Sequence, residues 1–190
     1  MEKFRQAHTN VDIYLDTGDA ADGIDQIKNR GVDLAIAAKP DDLSSSIHFQ
    51  SIATVPLGIA APKINCVVKK ALQADSVDWA NVPIILPEHG VARKRFEQWF
   101  RHKHAGRPNV YAQVSGQEAL VSMVALGFGI GLSPIVVADN SPVKDLVELL
   151  PDTNIAPVDL GLCCFKRNLE DPVVSAFLSM VPQSDGLTLN

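Results

Sequence analysis

The stretch Val114–Pro134, VSGQEALVSMVALGFGIGLSP, constrains the fold more than any other part of the chain. It reads as a strand end, a turn, an amphipathic helix and a second strand. Ser115 with Glu118 three positions on has the spacing of a capping box, in which the hydroxyl and the carboxylate satisfy each other's backbone donors. Ala119, Leu120, Met123, Val124 and Leu126 recur at helical spacing and predict one apolar face. Gly127 stands where that helix must stop, in the left-handed position that glycine tolerates best. Phe128–Leu132 is then apolar and short, as a buried strand is, and Pro134 ends it.

The rest of the chain continues in the same style. Met1–His8 reads as the last turns of a helix, with Phe4 and Ala7 toward a core. Val11, Ile13 and Leu15 alternate with polar residues and predict a half-buried strand. A helix follows, with Asp19 as N-cap, Ile24 and Ile27 inward and Gly31 closing it. Leu34–Ala37 is a short apolar strand, so this segment has the strand–helix–strand order of a parallel sheet. Ile47–Ser51 and Val55–Ala60 are extended, and Asp75–Trp79 resembles the start of a short helix. Val82–Leu86 is a buried strand, and Val91–His102 is a helix with Phe96, Trp99 and Phe100 inward. Val110–Val114 and Leu160–Lys166 are strands, with short helix and strand pieces over Ser133–Asn140 and Lys144–Leu150. Asp171 caps a last helix with Pro172 at its first position. The polar tail 183–190 is expected to be disordered.

Composition excludes several function classes. The net charge is -5 with 17 basic and 22 acidic residues, whereas a module that grips nucleic acid alone is usually basic, because phosphate contacts dominate affinity. No apolar run reaches the roughly 18 residues a membrane span needs, and Met1–Asn10 lacks the apolar core of a signal peptide. Three cysteines without regular spacing argue against a disulfide framework and fit a reducing, cytoplasmic setting.

The chemical motifs are weak. Gly127, Gly129 and Gly131 follow a helix and enter a strand, the reverse of a dinucleotide fingerprint, so they read as packing glycines. His48, His89, His102 and His104 share no ligand spacing with Cys66, Cys163 or Cys164, apart from the close pair His102 and His104, which sits in a basic, solvated helix end. No metal or cofactor is expected. Cys163 and Cys164 read as buried thiols, or as one in and one out, with a redox switch as the alternative. Ser115 lacks the surroundings of a nucleophile elbow, and no enzyme activity is expected. Arg93, Lys94 and Arg95 read as a solvated helix face or, for one of them, as a carboxylate-binding residue.

What remains is ligand binding by turns that follow strands. Gly18 and Asp19, Ala38 and Lys39, Pro87, Glu88, His89 and Gly90, and Ser115 and Gly116 each sit after an expected strand. Two of these turns open a helix, where unpaired N–H groups and the helix dipole favour an anion. Each alone reads as an ordinary turn or cap. Taken together they read as a ligand cleft at the carboxyl ends of strands.

Several segments carry a family resemblance: TGDAAD at Thr17–Asp22, DLAIAAKP at Asp33–Pro40, RKRFEQWFR at Arg93–Arg101, YAQVSGQEALVSMVALG at Tyr111–Gly127 and the following GIGLSP. Together they resemble the effector-binding domain of LysR-type transcriptional regulators. The resemblance implies a two-lobe α/β domain of periplasmic-binding-protein type, each lobe a mostly parallel sheet flanked by helices, with two crossover strands. Lobe one is then expected at 1–59 plus 165–190 and lobe two at 60–164. It implies a fragment that lacks a winged helix-turn-helix, a linker and a first strand. It also implies a small effector held between the lobes, here a 2-hydroxy-3-keto acid such as acetolactate or acetohydroxybutyrate, and control of branched-chain amino-acid synthesis. The full protein would be a homodimer or homotetramer that reaches DNA only through the missing domain. The rival reading is a solute-binding protein that delivers a small organic anion to a transporter.

Overall fold

A computed structural model gives the fold, and it describes residues 1–103, 106–151 and 154–182. The chain divides into two compact units. One holds Met1–Thr54 and the chain from Asp159, the other Val55–Val158.

The first unit is built on a three-stranded sheet of β1 (Ala35–Ala38), β8 (Val158–Phe165) and β2 (Ile47–Val55), with β8 in the middle. Helix α2 (Gly23–Lys28) covers one face, placing Ile24 and Ile27 against Ala37, Ile47 and Cys163. Helix α7 (Pro172–Met180) belongs to a second cluster, in which Val174 and Leu178 meet Leu162 and Cys164. Side chains alternate along a strand, so the adjacent thiols of β8 enter opposite cores and both are fully buried. Helix α7 starts as its sequence dictates: the Asp171 carboxylate accepts from the N–H groups of Val173 at 2.7 Å and Val174 at 3.2 Å. Its far end is tied down by Gln50, whose amide donates to the carbonyls of Leu178 and Val181. Helix α1 (Glu2–Ala7) docks through Phe4, which meets Phe177 edge-on at 5.0 Å, while Ala7 is exposed.

Three expectations for this unit need correction. Val11–Asp16 forms no strand, and Tyr14 and Leu15 are exposed, because no neighbouring strand pairs with them in the described residues. Asp19 does not cap α2. Its carboxylate closes a turn by accepting from the Ala21 N–H at 2.8 Å, and Asp22 holds the N-cap position, where its side chain makes no capping bond to the helix. Gly31 does not close α2 alone, because the left-handed conformation falls one residue earlier. Arg30 takes that conformation, with φ 57°, and its N–H and that of Gly31 return to the carbonyls of Ile27 and Gln26.

The second unit carries β3 (Leu57–Pro62) flanked by β6 (Gly131–Pro134) and β7 (Val147–Leu149), both antiparallel to it. Strands β4 (Pro83–Pro87) and β5 (Asn109–Val114) form a parallel pair, and Ile84 joins Ile130 in a parallel bridge. One core gathers Ile85, Ala60 and Val147 with Leu120, Val121, Val124 and Ala125 of α5 (Gln117–Ala125). On α4 (Gly90–Lys103) the inward residues are Phe96, Trp99 and Phe100, with Trp99 edge-on to Trp79 at 5.4 Å.

The sheets are mixed rather than mostly parallel: β1 with β8, and β3 with β6 and β7, run antiparallel, while β4 and β5 run parallel. Strand–helix–strand order dictates a parallel pair only where the two strands lie in one sheet, and Val11–Asp16 never joins β1. A helix expected near Asp75–Trp79 is absent. It forms earlier, as α3 (Val67–Leu72), where the Cys66 thiol at the N-cap accepts from the Lys69 N–H. The buried face of α5 is also rotated from the expected one. Val121 and Ala125 turn inward, while Ala119 and Leu126 are exposed.

The glycine motif after α5 does what packing glycines do. Gly127 takes φ 81°, and its N–H and that of Phe128 return to the carbonyls of Val124 and Met123, closing the helix. A Cβ on Gly129 would stand 2.7 Å from the Pro83 carbonyl oxygen. One on Gly131 would stand 2.9 Å from that of Ile85. Main chain therefore lies directly against main chain where β6 meets β4.

Candidate functional site

The candidate residues gather into two clusters, one in each unit. In the second unit the register sets Pro87 opposite Val114, so the turns that leave β4 and β5 begin side by side. The Glu88 N–H donates to the Val114 carbonyl at 2.9 Å and fastens one turn to the other. Each turn then reaches a glycine in the left-handed region, Gly90 at φ 83° and Gly116 at φ 88°, and each glycine leads directly into a helix. Ser115 is exposed and is not the N-cap of α5. Gly116 is, and no side chain caps it, so the expected capping box of Ser115 and Glu118 does not form. The first N–H groups of α5 thus have neither an intrahelical partner nor a side-chain cap.

Two further residues stand at this cluster: Gln117, which sequence reasoning did not single out, and Arg93, which it offered with Lys94 and Arg95 as a carboxylate-binding residue. Gln117, the first residue of α5, buries its Oε1 without a hydrogen-bond partner. Arg93 folds back from the first turn of α4. Its Nη1 donates to the Glu88 carbonyl at 2.8 Å, to Gln113 Oε1 at 3.1 Å and to the Pro87 carbonyl at 3.4 Å, and its Nε donates to Glu97 Oε1 at 3.0 Å. The spacing of Arg93 and Glu97 announces an ion pair along the helix. Nothing in the sequence announces the bonds across to β5 and the turn.

In the first unit the Ala38 N–H donates to the Ala20 carbonyl at 3.0 Å, which sets the Asp19 turn beside the end of β1. The Lys39 N–H donates to the Asp159 carbonyl at 2.8 Å, and its ammonium lies 5.6 Å from the centre of the Phe49 ring. Gly18 is exposed, with open space around it.

The other chemical motifs fall elsewhere. Burial pushes the Cys163 thiol up to about 11. The neighbouring Cys164 adds to the shift, and a backbone hydrogen bond at Ala35 works against it. A thiol held protonated in this way is a poor nucleophile and a poor metal ligand. Nδ1 of His102 bonds to the Gln98 carbonyl at 2.7 Å, and His104 lies outside the described residues, as does the tail 183–190. Among the described residues no three His, Cys, Asp or Glu side chains gather around a common point, and no helix is long and apolar enough to cross a membrane.

Comparison with known proteins bears on the family and the fold. Residues 1–185 match the family described as LysR substrate binding domain. The chain is 43% identical over 182 residues to the HTH-type transcriptional activator IlvY of Haemophilus influenzae, covering 95% of this chain and 62% of that protein. It is 40% identical over 185 residues to the activator IlvY of Salmonella typhimurium, covering 96% and 63%. The chain therefore spans less than two thirds of the length of these relatives. Among solved structures, the effector binding domain of QuiR in complex with shikimate superposes with a TM-score of 0.70 at 20% identity, covering 95% of this chain and 87% of that one. The cofactor-binding domain of the Cbl transcriptional regulator gives 0.71 at 17% identity, covering 95% and 78%. The fold is the periplasmic-binding-protein-like α/β fold of LysR effector-binding domains.

Proposed function

The chain belongs to the LysR substrate-binding domain family, and from that premise we propose that it is the effector-sensing part of a transcriptional activator of branched-chain amino-acid synthesis. The observation that carries this reading is the pair of turns fastened together at the ends of β4 and β5, each opening a helix. The start of α5 is the proposed anion seat, because no side chain among the described residues caps it.

The proposed effector is a 2-hydroxy-3-keto acid, acetolactate or acetohydroxybutyrate. Its carboxylate would take the N–H groups beyond Ser115 and Gly116. Its hydroxyl would donate to the buried, unpartnered Gln117 Oε1. Pro87, Glu88, His89 and Gly90 would form the adjoining wall, with His89 toward the keto oxygen. Gly18, Asp19, Ala38 and Lys39 are proposed as the ligand-facing set of the first unit. The full protein would act in the cytoplasm as a homodimer or homotetramer and reach DNA through an N-terminal winged helix-turn-helix. An effector switches such a protein only if it binds one conformation more tightly than another.

Calorimetric titration with both acetohydroxy acids tests the reading. Saturable binding of either supports it. If neither binds while another metabolite does, the branched-chain assignment falls and the family assignment stands.

A further inference from the structure

We propose that Arg93 receives the effector's carboxylate directly, through its Nη2 amino group, as a residue that discriminates acids from neutral analogues; this rests on the effector-binding reading above. The guanidinium is immobilised before any ligand arrives. Nε is engaged by Glu97, while Nη1 is shared among the Glu88 carbonyl, Gln113 Oε1 and the Pro87 carbonyl. These acceptors come from the helix, from the turn after β4 and from β5, so the group is held from three sides. Nη2 alone has no acceptor among the described residues, and the side chain keeps 29% of its surface exposed, so this nitrogen remains open to a solute.

An arginine clamped in this way loses little conformational entropy when an anion binds. Three of its four acceptors are neutral, and the one carboxylate, Glu97, engages Nε. The position also suits the ligand proposed. Glu88 and Gln113, which Arg93 holds, flank the hydrogen bond that joins the two turns. The carboxylate would meet a fixed cation in addition to the helix N–H groups, and bonds to charged groups are about twice as strong as neutral ones.

The test compares acetolactate with its methyl ester on wild type, Arg93→Met, Arg93→Lys and Glu97→Gln. Wild type should prefer the acid. Arg93→Met should lose roughly ten- to a hundredfold in affinity for the acid and little for the ester, removing the preference. Arg93→Lys should recover part of it, because the charge returns without the planar fork. Glu97→Gln should leave the preference in place. A clamp that only shapes the turns would weaken acid and ester equally, and that outcome overturns the proposal. Acetate is titrated in parallel while the Arg93 guanidinium resonances are followed by NMR. If wild type ignores acetolactate but acetate shifts those resonances, the effector assignment fails and Arg93 remains an anion receptor. If acetate leaves them unmoved at saturating concentration, Arg93 does not bind the carboxylate.

Discussion

The Glu88 N–H and the Val114 carbonyl meet at 2.9 Å, one bond past the last residue of β4 and at the last residue of β5. The bond makes one rigid rim out of two turns, so a change at the start of either helix is felt by the other.

Gly116 is the first place to test this rim. Its φ of 88° is costly for any residue with a Cβ, yet nothing lies within 4 Å of where that Cβ would go. Gly116→Ala should cost about 1 kcal/mol from backbone strain alone. The measurement is a urea unfolding curve, and the midpoint should fall while the slope stays unchanged.

Ser115 separates capping from ligand binding. Because it is exposed and caps nothing, Ser115→Ala should change stability by less than about 0.5 kcal/mol. Ser115→Asp should be equally well folded but bind acetolactate more weakly in calorimetry, through charge repulsion with the carboxylate. Equal binding by Ser115→Asp would remove the carboxylate from this turn.

Gly129 and Gly18 form a matched pair. A methyl at Gly129 would stand 2.7 Å from a backbone oxygen that cannot move without shifting β4, whereas one at Gly18 meets nothing. Gly129→Ala should cost about 2–4 kcal/mol by overpacking, and Gly18→Ala less than about 0.5. Thermal unfolding of the two variants side by side gives the contrast.

The cysteines of β8 give a pH dependence. The Cys163 thiol titrates near 9 when unfolded and near 11 when folded, so the folded state keeps its proton longer. Stability is therefore full below about pH 9 and falls as pH rises toward 11. Cys163→Ala should flatten that decline in unfolding curves taken across the range. In the native protein at neutral pH, a thiol reagent should label Cys66 before either Cys163 or Cys164, since only Cys66 is partly exposed.

Largely buried strands were legible as apolar runs, and β4 and β8 form where Val82–Leu86 and Leu160–Lys166 predicted them, while the mostly exposed β5 forms where Val110–Val114 did. The end of α5 at Gly127 and the start of α7 at Asp171 were legible because each depends on one residue and its own neighbours in sequence. Val11–Asp16 was misread for the opposite reason. Alternation marks a segment able to pair, but a strand exists only where a partner stands. The start of α5 was misplaced by one residue because Ser115 and Gly116 both suit the end of a helix, and backbone geometry chose the glycine. Arg93 was invisible as a clamp because three of its four acceptors lie outside its own helix, two of them main-chain carbonyls with no signature in sequence.

Where the chain entering β6 meets β4, a Cβ on Gly129 would press on the Pro83 backbone, and one on Gly131 on the Ile85 carbonyl and the Leu120 side chain. The scaffold beneath the two turns is thus fixed in part by main-chain atoms that every amino acid shares, beside the core of Ile85 and Leu120. Residues 88, 89, 115 and 117 can then be exchanged without moving the strands that carry them. New ligand preferences become reachable by single substitutions in the rim, each leaving a folded intermediate, while the two glycines below admit almost none.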